Sequence, residues 1–467
     1  MLDMGSAKIL VDCGAHEREN ICDPKNHEPF PYAAKDVDIL IITHAHQDHI
    51  GLVPKLMREG FRGVIYSTPE TKELSDIMFR DAVSLMERDA EKSQCPVLYD
   101  GKDVDRALSL WHTHPYHTPF QVGDATAEFL DAGHILGSAL VRLSRPSERP
   151  GEMFRSVSQA VEPRVSADAG AADSDSETSH QVRTILFTGD LGNSPEPLLN
   201  DTEHPVGAHY LVMESVYGDR LHEGRTQRRE VLRRAIEDAR ARGGTLLIPC
   251  FSLERTQIVL YEIHRMIEEG TLLPIPMYLD APLAQRVSEV YRRHTETLNP
   301  QARAMFSDGD AFTFPKLTEV ASPGESHHIH RKPSPKVIIA GAGMSNGGRI
   351  RAHERAYLPD ADASILLTGY QAPGSLGRRI QDGAREVSID GERIPVRARV
   401  SALTGYSGHA DRDALLHFVE ASHETLERVF VVMGEPAASN FLAQRIHDFL
   451  GLEAVVPHAG SSVELEW

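Results

Sequence analysis

The stretch Thr43-His44-Ala45-His46-Gln47-Asp48-His49 places three imidazoles and one carboxylate within six consecutive residues. It follows the largely apolar run 37–42, whose length and β-branched residues predict a buried strand. The polar side chains therefore belong to the loop at the carboxyl end of that strand. Imidazole and carboxylate are ligands that zinc prefers, and no packing requirement explains so many titratable groups in one loop. The stretch predicts a metal site.

Three more strand-like runs end in a glycine-containing turn that carries a histidine or an aspartate. They are 8–14 with Asp12, 127–134 with His134, and 184–190 with Asp190. This order of motifs resembles the metallo-β-lactamase superfamily, whose members are hydrolases with a four-layer αβ/βα fold.

A second series of motifs narrows the resemblance. Its members are 211–220, 248–257, 277–284, 343–349, 369–378 and 405–411. The series resembles the β-CASP branch of the superfamily, in particular the nuclease of the mRNA 3′-end cleavage complex and its bacterial and archaeal relatives. The fold class that this resemblance implies is α/β: a metallo-β-lactamase αβ/βα sandwich with an inserted β-CASP α/β domain.

The resemblance also implies a division of the chain. We expect residues 1–206 to form the first part of the metallo-β-lactamase domain and 207–382 to form the β-CASP domain. Residues 383–467 would complete the first domain and include an RNA-specificity-like segment. Within the first part, 145–182 is rich in Ser, Ala, Pro and acidic residues and has no apolar periodicity, so we expect a disordered loop there.

Two zinc ions are implied by the resemblance, together with their ligands. The ligands would be His44, His46 and His134 for the first ion, Asp48 and His49 for the second, and Asp190 as a bridge. A metal-bound hydroxide between the ions would attack the phosphodiester, and Asp48 counts as catalytic because it helps to hold that nucleophile. Asp12 would orient a ligand histidine through the other nitrogen of its ring.

The resemblance assigns the remaining site residues. His409 would assist the leaving oxygen, and Glu214 would orient its ring, although an ion pair between Glu214 and Arg220 is the structural alternative. Backbone and side chains of the glycine-rich segments would bind the substrate. The residues expected to do so are Ser407, Arg378, Ser375 and Arg349.

Met433 departs from the family pattern. It follows the strand-like run 429–432 at the position where RNA-processing members have a histidine. A thioether is a poor zinc ligand and carries no proton at neutral pH. We therefore expect a weakened second zinc site, and the substitution leaves open a preference for DNA or a catalytically impaired relative.

The first strand and two histidine clusters carry further expectations. The chain begins almost at the strand 8–11, so the β-hairpin that usually precedes it in the family is expected to be missing, which would expose a strand edge. The clusters at 112–117 and 327–330 lie outside the metal motifs, and we interpret them as surface histidines.

Composition excludes several classes of protein. The net charge of −19 argues against general adhesion to nucleic acid, although not against a local groove. The apolar runs are too short to span a bilayer, and the N-terminus has no basic or apolar signal region. The four cysteines form no CxxC pair, as expected of free thiols in the cytoplasm.

The leading hypothesis is a cytoplasmic zinc-dependent ribonuclease that cleaves single-stranded RNA internally, with 5′-exonuclease activity left open. The alternatives are a DNA-directed nuclease, an RNA-binding relative without turnover, and a thioester or lactam hydrolase. The long insertion between Asp190 and His409 argues against the last of these. No membrane partner is expected, and the sequence does not decide between a monomer and a homodimer.

Overall fold

The computed structural model describes residues 1–16, 23–93, 96–146, 182–204, 206–222 and 227–467. Most of the segment 145–182, predicted to be a disordered loop, lies outside these ranges. Its first two residues end one strand and its last residue begins the next, so the predicted loop was too long at both ends.

Two sheets face each other in the first architectural unit. The five-stranded sheet contains, in order, β1 (Leu2–Asp3), β2 (Lys8–Val11), β3 (Ile39–Ile41), β4 (Val64–Ser67) and β5 (Trp111–Thr113). The seven-stranded sheet contains β6 (Phe120–Val122), β7 (Ala125–Asp131), β8 (Ala139–Pro146), β9 (Val182–Phe187), β10 (Tyr210–Met213), β19 (Arg428–Val431) and β20 (Ala454–Val455). Its spatial order is β20-β19-β10-β9-β8-β7-β6.

The second unit is built on a six-stranded sheet in which every neighbouring pair of strands is parallel. Its strands are β11 (Thr245–Pro249), β12 (Met277–Asp280), β13 (Leu317–Glu319), β14 (Lys336–Ala340), β15 (Ser364–Leu367) and β18 (Arg399–Ala402), arranged β13-β12-β14-β11-β15-β18. A separate hairpin joins β16 (Glu386–Ile389) and β17 (Glu392–Pro395).

Helices flank the sheets or lie in the loops that follow the strands. In the first unit they are α1 (Pro24–His27), α2 (Gln47–Ile50), α3 (Val53–Arg58), α4 (Pro69–Ser93), α5 (Gly101–Ser109), α13 (Arg412–Glu420) and α14 (Pro436–Leu450). In the second they are α6 (Arg228–Arg242), α7 (Arg255–Glu268), α8 (Pro282–Arg293), α9 (Pro300–Asp308), α10 (Pro323–Ile329), α11 (Ile350–Tyr357) and α12 (Leu376–Gln381).

The four-layer arrangement follows from alternation along the strands. In β3, Ile39 and Ile41 face the seven-stranded sheet and pack with Phe129, whereas Leu40 faces the helices that cover the opposite side. In β11, Leu246 and Ile248 face one helical layer and Leu247 faces the other. This architecture is the αβ/βα sandwich with an inserted α/β unit that the sequence predicts.

The sheets do not divide the chain where the predicted domains do. Strand β10 lies after the predicted boundary at 206/207 but pairs with β9 and β19 of the sandwich. Strand β18 lies after the boundary at 382/383 but pairs with β15 of the six-stranded sheet. The division into 1–206, 207–382 and 383–467 stays a prediction. Each of these two strands pairs in a sheet of the neighbouring predicted domain.

The N-terminal hairpin is short rather than missing. Leu2 and Asp3 pair antiparallel with Ile9 and Lys8, around a turn in which Gly5 has φ 77°. The expectation that the hairpin would be missing was wrong, because the residues before β2 turn back and pair with its first two residues, Lys8 and Ile9. No helix within the described ranges is both long and apolar enough to span a membrane.

Phe129 tests the packing between the two sheets of the sandwich. Its ring is fully buried there. We expect Phe129→Ala to lower the free energy of unfolding by about 3–5 kcal/mol, because it leaves a cavity between two sheets that cannot collapse onto it. Phe449→Ala, the same change on an exposed ring of α14, should cost less than about 1 kcal/mol. Urea unfolding of both variants measures the difference, and equal losses would contradict this packing.

Candidate metal centre and active site

The metal motifs meet where strands of the two sheets end. His44, His46 and His49 follow β3, His134 follows β7, and Asp190 follows β9. Strand β7 runs in the same direction as β9, since each is antiparallel to β8 between them, so both loops emerge at one edge. Residues that are far apart in sequence are thereby brought within contact distance.

Four side chains converge on one point. The ring nitrogens His44 Nε2 and His46 Nδ1 lie 3.0 Å apart, and His46 Nδ1 lies 3.2 Å from His134 Nε2. Asp190 Oδ2 is 3.5 Å from both His44 Nε2 and His134 Nε2. Ligand atoms about 2.1 Å from a tetrahedral zinc ion lie about 3.4 Å from one another. The spacing of these four atoms therefore fits such an ion.

The outer hydrogen bonds leave the inner nitrogens free to bind a metal. The Gly408 carbonyl accepts a hydrogen bond from His134 Nδ1 over 2.9 Å, so Nε2 of this ring keeps its lone pair. The Thr43 hydroxyl donates to the Asp12 carboxylate over 2.8 Å, and its oxygen then accepts from His44 Nδ1 at 3.1 Å. Metal-bound histidines in proteins are fixed in the same way.

A second group adjoins the first through Asp190. Asp48, His49 and Asp190 can each offer one ligand atom to a common ion. His49 Nδ1 donates to Asp12 Oδ2 over 2.7 Å, which is the contact expected of Asp12. His49 Nε2 and Asp190 Oδ1 are 3.3 Å apart, and both are buried without a hydrogen-bond partner. Buried polar atoms without partners are costly, and a cation between these two would satisfy both.

The protonation of the first group, which is His44, His46, His134 and Asp190, suits metal binding. Burial lowers the pKa of His44 and His134 well below the usual value, and lowers that of His46 to about 4, so these rings are neutral. Burial opposes the charge of Asp190, but His49 and His409 outweigh it and hold the pKa of this carboxyl well below its usual range. Neutral imidazoles and an ionised carboxylate are the forms that bind zinc.

His409 stands beside the cluster with a carboxylate behind it. Its Nδ1 lies 3.2 Å from Glu214 Oε1 and 3.8 Å from Asp190 Oδ2. Burial would lower the pKa of His409, but Glu214 and Asp190 outweigh it and raise that pKa to about 9. Arg220 pairs with Asp219 instead of Glu214, so the alternative ion pair expected for Glu214 does not form.

The Asp190 loop connects the His134 loop to the His409 segment. Gly192 N donates to Ala132 O over 2.8 Å, and Asn193 N donates to Gly408 O over 3.1 Å. A Cβ on Gly192 would lie 2.0 Å from the Gly133 carbonyl oxygen, so only glycine permits this approach. The closeness of these backbones sets the separation between the metal cluster and His409.

The four expected substrate-binding residues are not equivalent. Ser407 adjoins the cluster, since Asn193 donates to its carbonyl over 3.0 Å. Ser375 is buried and caps α12 by accepting from Arg378 N, and the Arg378 side chain pairs with Asp382. The side chains of Ser375 and Arg378 are thus bonded within α12 and its two ends, and the substrate-binding role expected of Ser407, Ser375 and Arg378 stays a prediction.

Arg349 is tied into the second unit. Its guanidinium donates to Asp280 over 2.6 Å and to the carbonyls of Val320 and Ala321 over 3.1 and 2.9 Å. With these bonds satisfied inside the protein, the geometry does not favour the predicted contact between Arg349 and a phosphate. Sequence alone gave no sign of the partner Asp280, which lies 69 positions away.

Met433 follows β19 at the edge where β10 delivers Glu214. Its side chain is 47% exposed and its φ is 59°. Its thioether is a poor ligand for zinc. His458 lies later in the chain, is exposed, and belongs to none of the groups of potential metal ligands found among the described residues. The second group therefore relies on Asp48, His49 and Asp190.

Some residues near the site were not singled out from sequence. The ring of Tyr217 lies 6.2 Å from that of His409, and His222 Nε2 donates to the His409 carbonyl over 2.8 Å. Tyr217 belongs to the motif that contains Glu214, and that motif was the signal in the sequence that could have pointed to it.

The two histidine clusters make contacts of their own. In the first, His114 stacks on Phe120, and in the second, His330 is hydrogen-bonded to His353.

Comparisons with known proteins agree with this geometry. Three family models match successive parts of the chain: the metallo-beta-lactamase superfamily over residues 3–136, the Beta-Casp domain over 256–380, and the Zn-dependent metallo-hydrolase RNA specificity domain over 393–457. The chain is 33% identical over 437 residues to ribonuclease TTHA0252 of Thermus thermophilus, which covers 93% of this chain and 89% of that protein.

The archaeal transcription termination factor FttA is also similar. The factor of Pyrococcus abyssi is 30% identical, over 98% of this chain and 67% of its own length. That of Methanosarcina mazei is 28% identical, over 97% of this chain and 67% of its own length. The chain therefore belongs to the metallo-β-lactamase superfamily, within the β-CASP family of RNA-processing nucleases.

Proposed function

We propose that the chain is a zinc-dependent ribonuclease that cleaves unpaired RNA internally by hydrolysis, with the cytoplasm as its place of action. The observation that carries the proposal is the set of three imidazole nitrogens and one carboxylate oxygen spaced at 3.0–3.5 Å beside the His409–Glu214 pair. Hydrolytic nuclease activity follows from membership of the family. The match to an RNA specificity domain and the relative named a ribonuclease support RNA as substrate.

The residues divide the work of hydrolysis. His44, His46, His134 and Asp190 would hold the first ion, and Asp48 and His49 would hold the second together with Asp190. Zinc supplies positive charge for the phosphoryl oxygens and a water of lowered pKa. Asp12 fixes the ring of His49, and Thr43 fixes that of His44.

His409 would donate a proton to the leaving oxygen. Its imidazolium form is favoured by Glu214, whose Oε1 also accepts from Leu191 N over 2.6 Å and is held in place by that bond. A proton donor fixed in this way stabilises the alkoxide as it forms. The same residues would act whether the cut is internal or at a 5′ end, and internal cleavage is the form we propose.

A DNA-directed nuclease is the second candidate, favoured only by Met433. The ribonuclease and the DNA-directed nuclease are distinguished by incubating the zinc-loaded protein with labelled single-stranded RNA and DNA of one sequence, with and without chelator. Cleavage of RNA to internal fragments, lost with chelator and restored by zinc, is the expected result. Preferential cleavage of DNA would overturn the choice of substrate, and chelator-resistant cleavage would overturn the role of the metal.

The second zinc site should bind its ion more weakly than the first, and Met433→His should strengthen it. We expect a gain of at least about tenfold, since even residues behind the ligands are commonly worth ten- to a hundredfold in affinity. Histidine also tolerates the positive φ at this position.

Zinc titration by calorimetry measures both sites, with Met433→Leu as the matched control that keeps the side chain apolar. Two sites of equal affinity in the wild type would show that another ligand completes the second site, contrary to this account.

Asp48→Ala and His409→Ala should each abolish or strongly reduce cleavage while leaving RNA binding largely intact. Loss of general acid assistance is worth about 10² to 10⁴ in rate, so the effect of His409→Ala should be large. Asp48→Ala acts through the metal instead, and should also lower the zinc content.

The exposed His458, outside the described metal groups, offers the matched control, because His458→Ala removes the same ring. Cleavage rate, RNA affinity and zinc content are measured on all three variants. A His409→Ala variant with the wild-type rate would remove His409 from the mechanism.

A further inference from the structure

Two partly exposed aromatic rings lie at the carboxyl edge of the six-stranded sheet. Phe251 is 37% exposed and Tyr370 is 43% exposed. Phe251 comes two residues after β11 and Tyr370 three residues after β15, and these strands are parallel neighbours. Both rings therefore emerge at the edge of a parallel sheet where ligands most often bind.

Contacts beneath the rings hold the two loops together. Cys250 Sγ lies 3.4 Å from Thr368 Oγ1, and the Thr368 hydroxyl donates to Pro249 O over 2.9 Å. These contacts lie within three residues of Phe251 and Tyr370. The loops that carry the rings are therefore joined at their bases, and the rings are presented by a fixed scaffold.

Gly343 fixes the position of both loops. The Phe251 ring packs against it so closely that a Cβ on Gly343 would lie 2.6 Å from Phe251 Cδ2. The Gly343 carbonyl accepts a hydrogen bond from Gln371 Nε2 over 3.1 Å, and Gln371 is the residue after Tyr370. The Phe251 ring and the loop that carries Tyr370 therefore both contact this glycine.

The chain joins this edge to the candidate metal centre. Strand β18 is the parallel neighbour of β15, and the chain continues from its end at Ala402 to His409. Leu403 N donates to Leu367 O over 2.8 Å, at the start of the Tyr370 loop. The pKa of Tyr217 is raised mainly by burial and further by the nearby Tyr370, and its ring lies 6.2 Å from that of His409. Tyr217 therefore lies near both the Tyr370 loop and His409.

Single exposed apolar side chains are common, but two exposed rings on joined loops, next to the strand that leads to His409, indicate a binding site. A strand of RNA whose phosphate lies at the metal centre must place the adjoining base nearby. Every unpaired base has a flat π surface, which stacks on an aromatic ring without sequence preference.

We propose that Phe251 and Tyr370 form a stacking platform for an unpaired nucleobase next to the scissile phosphate. The proposal rests on the proposed ribonuclease function and adds the basis of its substrate selection. A paired base is stacked within its own helix and cannot lie on the platform. The enzyme would therefore select RNA that is unpaired at this nucleotide, whatever the identity of the base.

The test uses zinc-loaded protein and single-stranded oligoribonucleotides that carry 2-aminopurine at successive positions around the cleavage site. Stacking should quench the fluorescence at one position in the wild type. Phe251→Ala and Tyr370→Ala should lose this quenching and weaken RNA binding by about 5- to 150-fold, the range for one stacked base. Tyr370→Phe keeps the ring and should retain both.

Phe449→Ala provides a matched control, since it removes a 65% exposed ring on α14. An abasic nucleotide at the quenched position should weaken RNA binding by the wild type. It should cause little further loss of affinity in the Tyr370→Ala variant, because both changes remove the same contact. Quenching and affinity unchanged in both alanine variants would overturn the platform.

The platform and the ribonuclease function fail separately in this experiment. RNA cleavage by the wild type without position-specific quenching would overturn the platform alone. Position-specific quenching without cleavage of any RNA would overturn the ribonuclease function and support the platform as part of a binding site. Loss of quenching in the Tyr370→Phe variant would assign the effect to the hydroxyl rather than to stacking, and would also overturn the proposal.

Discussion

The structure depends on one buried carboxylate. Asp190 is almost wholly inaccessible, yet its oxygens lie within 3.3–3.5 Å of three imidazole nitrogens delivered by other loops. A buried charge is tolerated only when it is paired and hydrogen-bonded, or when it binds a cation. The sandwich meets this condition by ending several strands at one edge, and the close backbone approach at Gly192 keeps the loops at their spacing. The position of His409 follows from the same loop.

The second unit completes the site as well as covering it. His409 is reached only after the chain has passed through the six-stranded sheet and left it by β18. A buried group connects the units: Arg228 of α6 lies 3.3 Å from Glu196 and from Glu262, and the Tyr406 hydroxyl is hydrogen-bonded to Glu262. Removing one partner of such a group leaves a buried charge unpaired, which is strongly unfavourable. The relative position of the two units therefore bears directly on catalysis.

The sequence predicts the parts of the site that are local or that belong to distinctive motifs. Residues 44–49 needed only their own spacing, His134 and Asp190 were found at the ends of strand-like runs, and Glu214 and His409 came from resemblance. The sequence did not indicate where the Arg349 side chain points, because the direction of a long side chain depends on its tertiary partner, here Asp280. Strands β10 and β18 each pair in the sheet of the neighbouring predicted domain, because the sheet to which a strand belongs is set by pairing with strands distant in sequence. Tyr370 had no sequence signal apart from its motif, since its exposure depends on the packing of three loops.

Anomalous scattering at the zinc absorption edge, from crystals grown with zinc, tests the central claim most directly. The account predicts a peak about 2.1 Å from His44 Nε2, His46 Nδ1 and His134 Nε2, on the side of Asp190. The peak should disappear in the His44→Ala variant. Crystals of a protein that cleaves RNA but shows no anomalous density among these atoms would contradict the account.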